Sequence, residues 1–161
     1  MLQLAIADHP IFTVDDREIR RGGDSYMVDT LASLYRDMPD KTLCLLLGSD
    51  AYDAFLDWYA PDKILQLANL AVLQRPGYRL PDDPDLQAFT RSHQCAPGGL
   101  GNRSCGGIVF QTVTQLDISS SDIRQRITAK RDPAWLLPAA VIDYINSHAL
   151  YRRPAESPPI V

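Results

Sequence analysis

The chain has 161 residues, of which 45% are hydrophobic and 22% charged, and its formal net charge is -4. This composition is typical of a globular domain, and the negative balance argues against a general nucleic-acid binder or a protein that binds acidic membranes. No apolar run reaches the ~20 residues of a membrane span, and no signal peptide opens the chain. We therefore expect a cytoplasmic protein without nucleic-acid or membrane partners.

Hydrophobic periodicity predicts helices and strands that alternate along the chain. Leu2, Leu4 and Ile6 have the spacing of the tail of an amphipathic helix, although no capping residue precedes it. Continuous apolar runs are typical of strands buried on both faces of a parallel sheet. The predicted strands are residues 11–15, 42–48, 70–74 and 107–113, and the predicted helices are residues 25–38 (with Ser25 as cap), 49–59 (a short helix or turn), 61–68, 119–130 and 138–151.

Strands that alternate with helices indicate an α/β domain with a mainly parallel sheet. We place this domain at residues 1–152, and a Pro-rich tail at residues 153–161. Residues 79–107 are rich in proline and glycine and predict a variable loop with room for one short helix. Ligands of such sheets bind beyond the carboxyl ends of the strands. Two polar segments follow predicted strands in this way, at residues 48–59 and 116–124.

The three cysteines are odd in number and show no zinc spacing. Cys44 lies in an apolar run and is expected to be a buried, reduced thiol. Cys95 and Cys105, with His93 nearby, lack the Cys-x-x-Cys pairs of structural zinc sites. We therefore favour a flexible loop with two free thiols over a metal site, and assign no metal ligand.

One polar segment places three serines between a strand and a helix. Ser119, Ser120 and Ser121 can cap that helix, and its dipole favours an anion at this end. Arg124 lies one turn further and can place a bidentate guanidinium on a phosphate. Simple N-capping, with Asp122 and Arg124 solvated, explains the same residues, and composition alone favours that simpler interpretation.

The other polar segment combines a glycine, an aspartate and two aromatic residues. Gly48 lets the backbone approach a ligand closely at the end of its strand. Asp50 can accept hydrogen bonds from ribose hydroxyls or from donors of a base. Trp58 and Tyr59 offer an aromatic face for a planar ring. The alternative is that both aromatic side chains pack on the core, which is their commonest role.

Together these segments resemble the bacterial-type nicotinate mononucleotide adenylyltransferases, members of the nucleotidyltransferase α/β family. The similarity extends from Met1 to about Arg152, and the Ile-Ser-x-x-x-Ile-Arg motif is specific to the superfamily. The matching segments are residues 25–26 (SY), 46–50 (LLGSD), 58–59 (WY), 73–78 (LQRPGY), 118–124 (ISSSDIR) and 136–152 (LLPAAVIDYINSHALYR).

The resemblance implies adenylyl transfer, in which the phosphate of nicotinate mononucleotide attacks the α-phosphate of ATP to give deamido-NAD and pyrophosphate. Catalysis then consists of aligning two anions and stabilising charge at the transferring phosphorus, with Mg²⁺ neutralising the triphosphate. The implied ATP residues are Gly48 and Asp50 for ribose, Ile118 and Ser119 near adenine, and Ser121 with the catalytic Arg124 for phosphates. The implied substrate residues are Trp58 and Tyr59 for the pyridine ring and Ser25 and Tyr26 for its carboxylate.

Two features depart from the family pattern. Such enzymes begin with a strand, a Phe-Asp-Pro-x-His-x-Gly-His motif that meets nucleotide phosphates, and a helix. No such motif occurs in the 161 residues, where His9, His93 and His148 stand apart. We expect a Rossmann-like nucleotidyltransferase fold that is N-terminally truncated, lacks its first strand and helix, and has impaired activity as written. Met27 also replaces the usual threonine after Ser-Tyr, which removes a hydroxyl near the expected nicotinate carboxylate.

Two other functions fit parts of the pattern. The absent histidine motif favours a non-catalytic remnant that binds nucleotide weakly or not at all. A sister transferase, such as the pantetheine-phosphate adenylyltransferase, is another possibility. Trp58, Tyr59 and the C-terminal Leu-Pro and Tyr-Ile pattern count against the sister enzyme.

Overall fold

The computed structural model describes residues 1–75, 77–96, 98–114 and 118–151. The chain divides into two compact units, one of residues 16–115 and the other of residues 1–15 with residues 116–161. The predicted Pro-rich tail at residues 153–161 and the proline at position 76 lie outside the described residues.

Helices and strands alternate through the described residues as the sequence predicts. The strands are β1 (Cys44–Gly48), β2 (Asn69–Gln74) and β3 (Ile108–Thr112). The helices are α1 (Leu2–Ala5), α2 (Arg17–Arg21), α3 (Met27–Asp37), α4 (Ser49–Asp53), α5 (Pro61–Leu67), α6 (Pro84–His93), α7 (Ser120–Thr128) and α8 (Ala139–Ser147), with short 3-10 turns at Phe55–Asp57 and Gly99–Asn102.

The three strands form a parallel sheet in the order β1-β2-β3. In the register, Ala71 of the central strand lies opposite Leu46 on one side and Val109 on the other. Leu70 and Val72 of β2 are fully buried, as expected of an apolar strand covered on both faces. The predicted α/β class with a parallel sheet is therefore confirmed.

Strand β1 is less buried than its sequence predicts. Leu47 is buried, but Leu46 is 64% exposed and Cys44 is also exposed. Within the described residues β1 has β2 as its one strand neighbour, so it forms an edge of the sheet. The prediction of a buried Cys44 thiol is wrong for this reason, although partial desolvation still raises the pKa of this thiol.

Two local predictions near the N-terminus are also wrong. Residues 11–15 form turn and coil instead of a strand, and Ile11 is 85% exposed. An apolar run alone does not make a strand, because a strand needs a neighbour to pair its backbone groups. Ser25 does not cap α3: the N-cap residue is Tyr26, and no side chain accepts a hydrogen bond there.

The core of the first unit is built around aromatic side chains between the sheet and its helices. Tyr52 and Phe55 are fully buried, with ring centroids 5.8 Å apart. The hydroxyl of Thr90 donates to the Leu86 carbonyl (2.6 Å), so the Tyr52 hydroxyl donates to Thr90 at 2.8 Å. This hydrogen-bonded pair connects α4 to α6. Helix α6 has ten residues, more than the short helix expected here, and the Asp83 side chain caps it by accepting two backbone N–H groups.

The second unit contains α1, α7 and α8. Val141 and Ile145 of α8 and Ile123 of α7 are buried, and α1 packs on α8. The predicted serine cap of α7 is confirmed, since the Ser119 hydroxyl accepts the Asp122 N–H at 3.0 Å.

Candidate functional site

Four residues predicted to bind the mononucleotide come together in the first unit. Ser25, Tyr26, Trp58 and Tyr59 line one cavity of about 320 Å³, whose other lining residues are Glu18, Met27 and Ile64. The rings of Tyr26 and Tyr59 lie 4.7 Å apart. Both side chains are exposed, so the cavity opens to solvent with an aromatic wall.

Trp58 belongs to both the core and the cavity. Its ring lies 5.5 Å from the buried Phe55 ring, and the residue packs against the core cluster while remaining partly exposed. One part of the indole therefore fixes its orientation, and another part contributes to the cavity wall. An aromatic ring held in this way loses little side-chain entropy when a planar ligand stacks on it.

The start of α3 gives the same cavity a polar end. Tyr26 is the N-cap residue, has an extended backbone and provides no side-chain hydrogen bond to the helix. The first backbone N–H groups of this eleven-residue helix receive no side-chain cap, and Ser25, Tyr26 and Met27 at the helix start line the cavity. Such a helix start favours a carboxylate or phosphate group.

Glu18 was not identified from the sequence, although it lines this cavity. It belongs to α2, and its carboxylate accepts a hydrogen bond from the Thr30 hydroxyl of α3. The only sequence signal was a stretch of charged residues, which is ordinarily a solvated surface. The contact with Thr30 indicates that Glu18 holds α2 against α3 at the rim of the cavity.

A second polar group lies where β1 and β2 end. Gly48 closes β1, and a side chain built at this position would meet no atom within 4 Å. The carboxylate of Asp50 is 84% exposed and lies 3.7 Å from the guanidinium of Arg75, which follows β2. The predicted residues Gly48 and Asp50 therefore border open space at the carboxyl edge of the sheet. Arg75 is an additional cation that sequence analysis did not select.

Tyr78 contacts residues of α4 and β3. Its hydroxyl donates to the Asp53 carboxylate at 2.5 Å, and its ring stacks on Phe110. Burial, reinforced by the hydrogen bond to Asp53 and its negative charge, raises the pKa of Tyr78 well above its ordinary value. Tyr78 is therefore a neutral hydrogen-bond donor throughout the physiological pH range.

The predicted phosphate group lies on α7 in the second unit. Ile118 is 41% exposed, and Ser119 caps the helix. The Arg124 guanidinium donates to the Ser121 hydroxyl at 3.2 Å, and both residues line a cavity of about 630 Å³. The structure thus brings Ser121 and Arg124 together on an exposed face, while Gly48 and Asp50 belong to the first unit.

The cysteines and acidic residues form no evident metal centre. Cys44, Cys95 and Cys105 are all free thiols, and Cys95 and Cys105 are partly exposed. Across residues 1–75, 77–96, 98–114 and 118–151, no group of three or more His, Cys, Asp or Glu side chains is placed to hold a metal ion. In the same residues, no helix is long and apolar enough to cross a membrane.

Comparison with known proteins gives consistent matches. The cytidylyltransferase-like family model matches residues 1–126. A probable nicotinate-nucleotide adenylyltransferase of Acidithiobacillus ferrooxidans is 39% identical over 156 residues, which cover 96% of this chain and 72% of the relative. The corresponding protein of Methylococcus capsulatus is 40% identical over 155 residues, which cover 95% of this chain and 74% of that relative.

A solved structure supports the fold. The nicotinic acid mononucleotide adenylyltransferase of Plasmodium falciparum, complexed with APC, has a TM-score of 0.54 at 19% identity. The match covers 81% of this chain and 60% of that protein, so the chain spans less than two thirds of the matched structure. The predicted Rossmann-like nucleotidyltransferase fold is therefore confirmed.

Proposed function

The chain belongs to the nicotinate-nucleotide adenylyltransferase family, and we propose that it serves adenylyl transfer from ATP to nicotinate mononucleotide in NAD biosynthesis. In this reaction a phosphate oxygen of the mononucleotide bonds to the α-phosphorus of ATP. The bond from that phosphorus to the oxygen bridging to the β-phosphate breaks, and pyrophosphate leaves. The products are deamido-NAD and pyrophosphate.

The observation that carries this proposal is the aromatic cavity with a helix start at one end. Trp58 and Tyr59 offer a surface for the pyridine ring, and the first N–H groups of α3 beside Ser25 and Tyr26 suit its carboxylate. Met27 contributes an apolar side chain where the family usually has a hydroxyl. In this chain, recognition of the carboxylate would therefore depend on backbone N–H groups.

The ATP assignments are part of the same proposal. Ser121 and Arg124 would bind phosphate oxygens, Ile118 and Ser119 would lie near adenine, and Gly48 and Asp50 would bind ribose. Two observations support these roles: the Arg124 guanidinium donates to the Ser121 hydroxyl, and the Asp50 carboxylate is exposed. Mg²⁺ would arrive with ATP, held by the phosphates. We propose a cytoplasmic location for this reaction.

The chain's two tryptophans provide a direct test of the mononucleotide site. Trp135 is 99% exposed, so replacing it with phenylalanine leaves Trp58 as the one remaining tryptophan at little structural cost. Titrating this Trp135→Phe variant with nicotinate mononucleotide should quench the Trp58 fluorescence in a saturable manner. In the matched Trp58→Phe variant the remaining tryptophan is Trp135, and its fluorescence should show no saturable change on the same titration.

The choice of ligands sharpens this test. Nicotinate mononucleotide should quench Trp58 at lower concentration than ribose 5-phosphate, which lacks the pyridine ring. Equal responses to both ligands, or saturable quenching from Trp135 alone, would contradict the assignment of Trp58.

A further inference from the structure

A cavity of about 630 Å³ runs along one face of α7. Its lining residues are Ser121, Arg124, Gln125, Thr128, Ala129 and Arg131. Ser121, Arg124, Gln125 and Thr128 share a helical face because they are spaced three, four and seven residues apart. Arg131 lies beyond the end of the helix, yet it lines the same cavity as Arg124.

The turn that ends α7 fixes the position of Arg131. The N–H of Lys130 donates to the Ile127 carbonyl at 3.0 Å, and the N–H of Arg131 donates to the Arg126 carbonyl at 2.8 Å. Lys130 is left-handed, with a φ of 55°. These are the two hydrogen bonds and the backbone conformation of a Schellman motif. The backbone of Arg131 is therefore held by hydrogen bonds and does not belong to a loose connection.

The charged residues that line this cavity all have the same sign. Its lining residues include two arginines and no aspartate or glutamate. The nearest acidic residue on the helix, Asp122, is paired with Arg126 at 2.7 Å, and neither residue lines the cavity. An anion in this cavity would thus meet two cations without a competing acidic side chain.

We propose that Arg131 is a second phosphate-binding arginine, which contacts the β- and γ-phosphate oxygens of ATP that leave as pyrophosphate. The inference rests on the proposed function, in which Ser121 and Arg124 hold the triphosphate. A single guanidinium forms one bidentate pair with a phosphate, and a second guanidinium on the same cavity can pair with the next phosphate. Arg131 would therefore set the affinity for the pyrophosphate part of the nucleotide.

A purely structural role for Arg131 has a different consequence. A cation near a helix C-terminus compensates the partial negative charge of the last carbonyl groups. Replacing Arg131 would then lower thermal stability without changing affinity for an anion. Lys130 offers a matched control, because it adjoins Arg131, carries the same charge and does not line this cavity.

The test measures binding of inorganic pyrophosphate to the 161-residue chain by calorimetry at fixed ionic strength. Arg131→Gln should weaken binding about tenfold or more, the range expected for loss of a charge-assisted hydrogen bond. Arg131→Lys should recover part of that affinity, since lysine keeps the charge but not the bidentate geometry. Lys130→Gln should change affinity by less than about twofold, because Lys130 does not line the cavity and salt weakens interactions between exposed charges, with a Debye length of about 10 Å at 0.1 M ionic strength.

The outcomes separate this inference from the proposed function. Unchanged pyrophosphate affinity in Arg131→Gln, with a loss of affinity in Arg124→Gln, would overturn the role of Arg131 and leave the ATP assignment standing. Equal losses in Arg131→Gln and Lys130→Gln would also overturn it, because they would reflect net charge alone. Absence of pyrophosphate binding by the unsubstituted chain would overturn both the inference and the proposed phosphate site.

Discussion

Replacing Asn69 with leucine is expected to lower the free energy of unfolding by about 1.5–4.5 kcal/mol. Asn69 begins β2 and is fully buried. Its side-chain amide donates to the Arg103 carbonyl at 3.1 Å, and its side-chain oxygen accepts the Gly107 N–H at 2.8 Å. This one side chain therefore fixes the connection that leads into β3.

The magnitude follows from the two backbone groups that leucine would leave unpaired. The Gly107 N–H bond is buried, so its loss costs about 1–3 kcal/mol of desolvation. The Arg103 carbonyl is only partly buried and can regain water, which limits its cost to about 0.5–1.5 kcal/mol. Leucine has the same branching and the same number of side-chain heavy atoms as asparagine, so the substitution leaves no cavity.

Urea unfolding monitored by circular dichroism would measure this loss, and amide hydrogen exchange at Gly107 would locate it. The matched control is Gln74→Leu. Gln74 also lies in β2, and its replacement removes an exposed side-chain hydrogen bond to Thr112 of β3, so it should lower the free energy of unfolding by about 0.5 kcal/mol or less. An unfolding free energy for Asn69→Leu equal to that of Gln74→Leu would refute the reasoning. So would unchanged exchange at Gly107.

Three further predictions concern backbone and side-chain chemistry. Gly107→Ala should destabilise the chain by about 1–3 kcal/mol in urea unfolding, because a methyl group there would lie 2.9 Å from Leu100 and 3.1 Å from the side-chain oxygen of Asn69, which a buried hydrogen bond holds in place. Lys130→Gly should raise the thermal midpoint, since it relieves about 1 kcal/mol of left-handed strain, whereas Lys130→Ala should not. Folding raises the pKa of Tyr78. The contribution of Tyr78 to the free energy of unfolding is therefore complete below its ordinary pKa of 10.0 and declines as the pH rises above that value. Unfolding free energy should therefore fall less steeply above about pH 10 in Tyr78→Phe than in the parent chain, and equal slopes would contradict this cause.

The sequence was informative where structure depends on local pattern. The apolar runs at residues 42–48, 70–74 and 107–113 predicted β1, β2 and β3, because near-continuous hydrophobicity is typical of parallel strands. Exposure could not be predicted in the same way. Leu46 and Leu70 both lie in apolar runs, but Leu46 is exposed on β1, an edge of the described sheet, and Leu70 is buried on β2, its central strand.

In the candidate sites too, residues within sequence motifs could be predicted, whereas residues placed by contacts between distant elements could not. Trp58, Tyr59, Ser25 and Tyr26 could be selected from motifs, and the structure brings them to one cavity. Glu18, Arg75 and Arg131 could not be selected, because their positions depend on contacts between distant elements or on the end of a helix. A charged side chain carries no sign in the sequence of whether it is solvated or borders a cavity.

Dinucleotide formation is the most direct measurement of the proposed adenylyl transfer. Because the 161 residues contain no Phe-Asp-Pro-x-His-x-Gly-His motif, the assay would use the chain joined to the strand, histidine motif and helix of a family member. With Mg²⁺, ATP and nicotinate mononucleotide, chromatography should show deamido-NAD and pyrophosphate formed in equal amounts. Arg124→Ala should lower this rate by orders of magnitude, while Trp135→Phe should leave it unchanged. Absence of the dinucleotide, or an equal rate in Arg124→Ala, would contradict the proposed reaction and its catalytic residue.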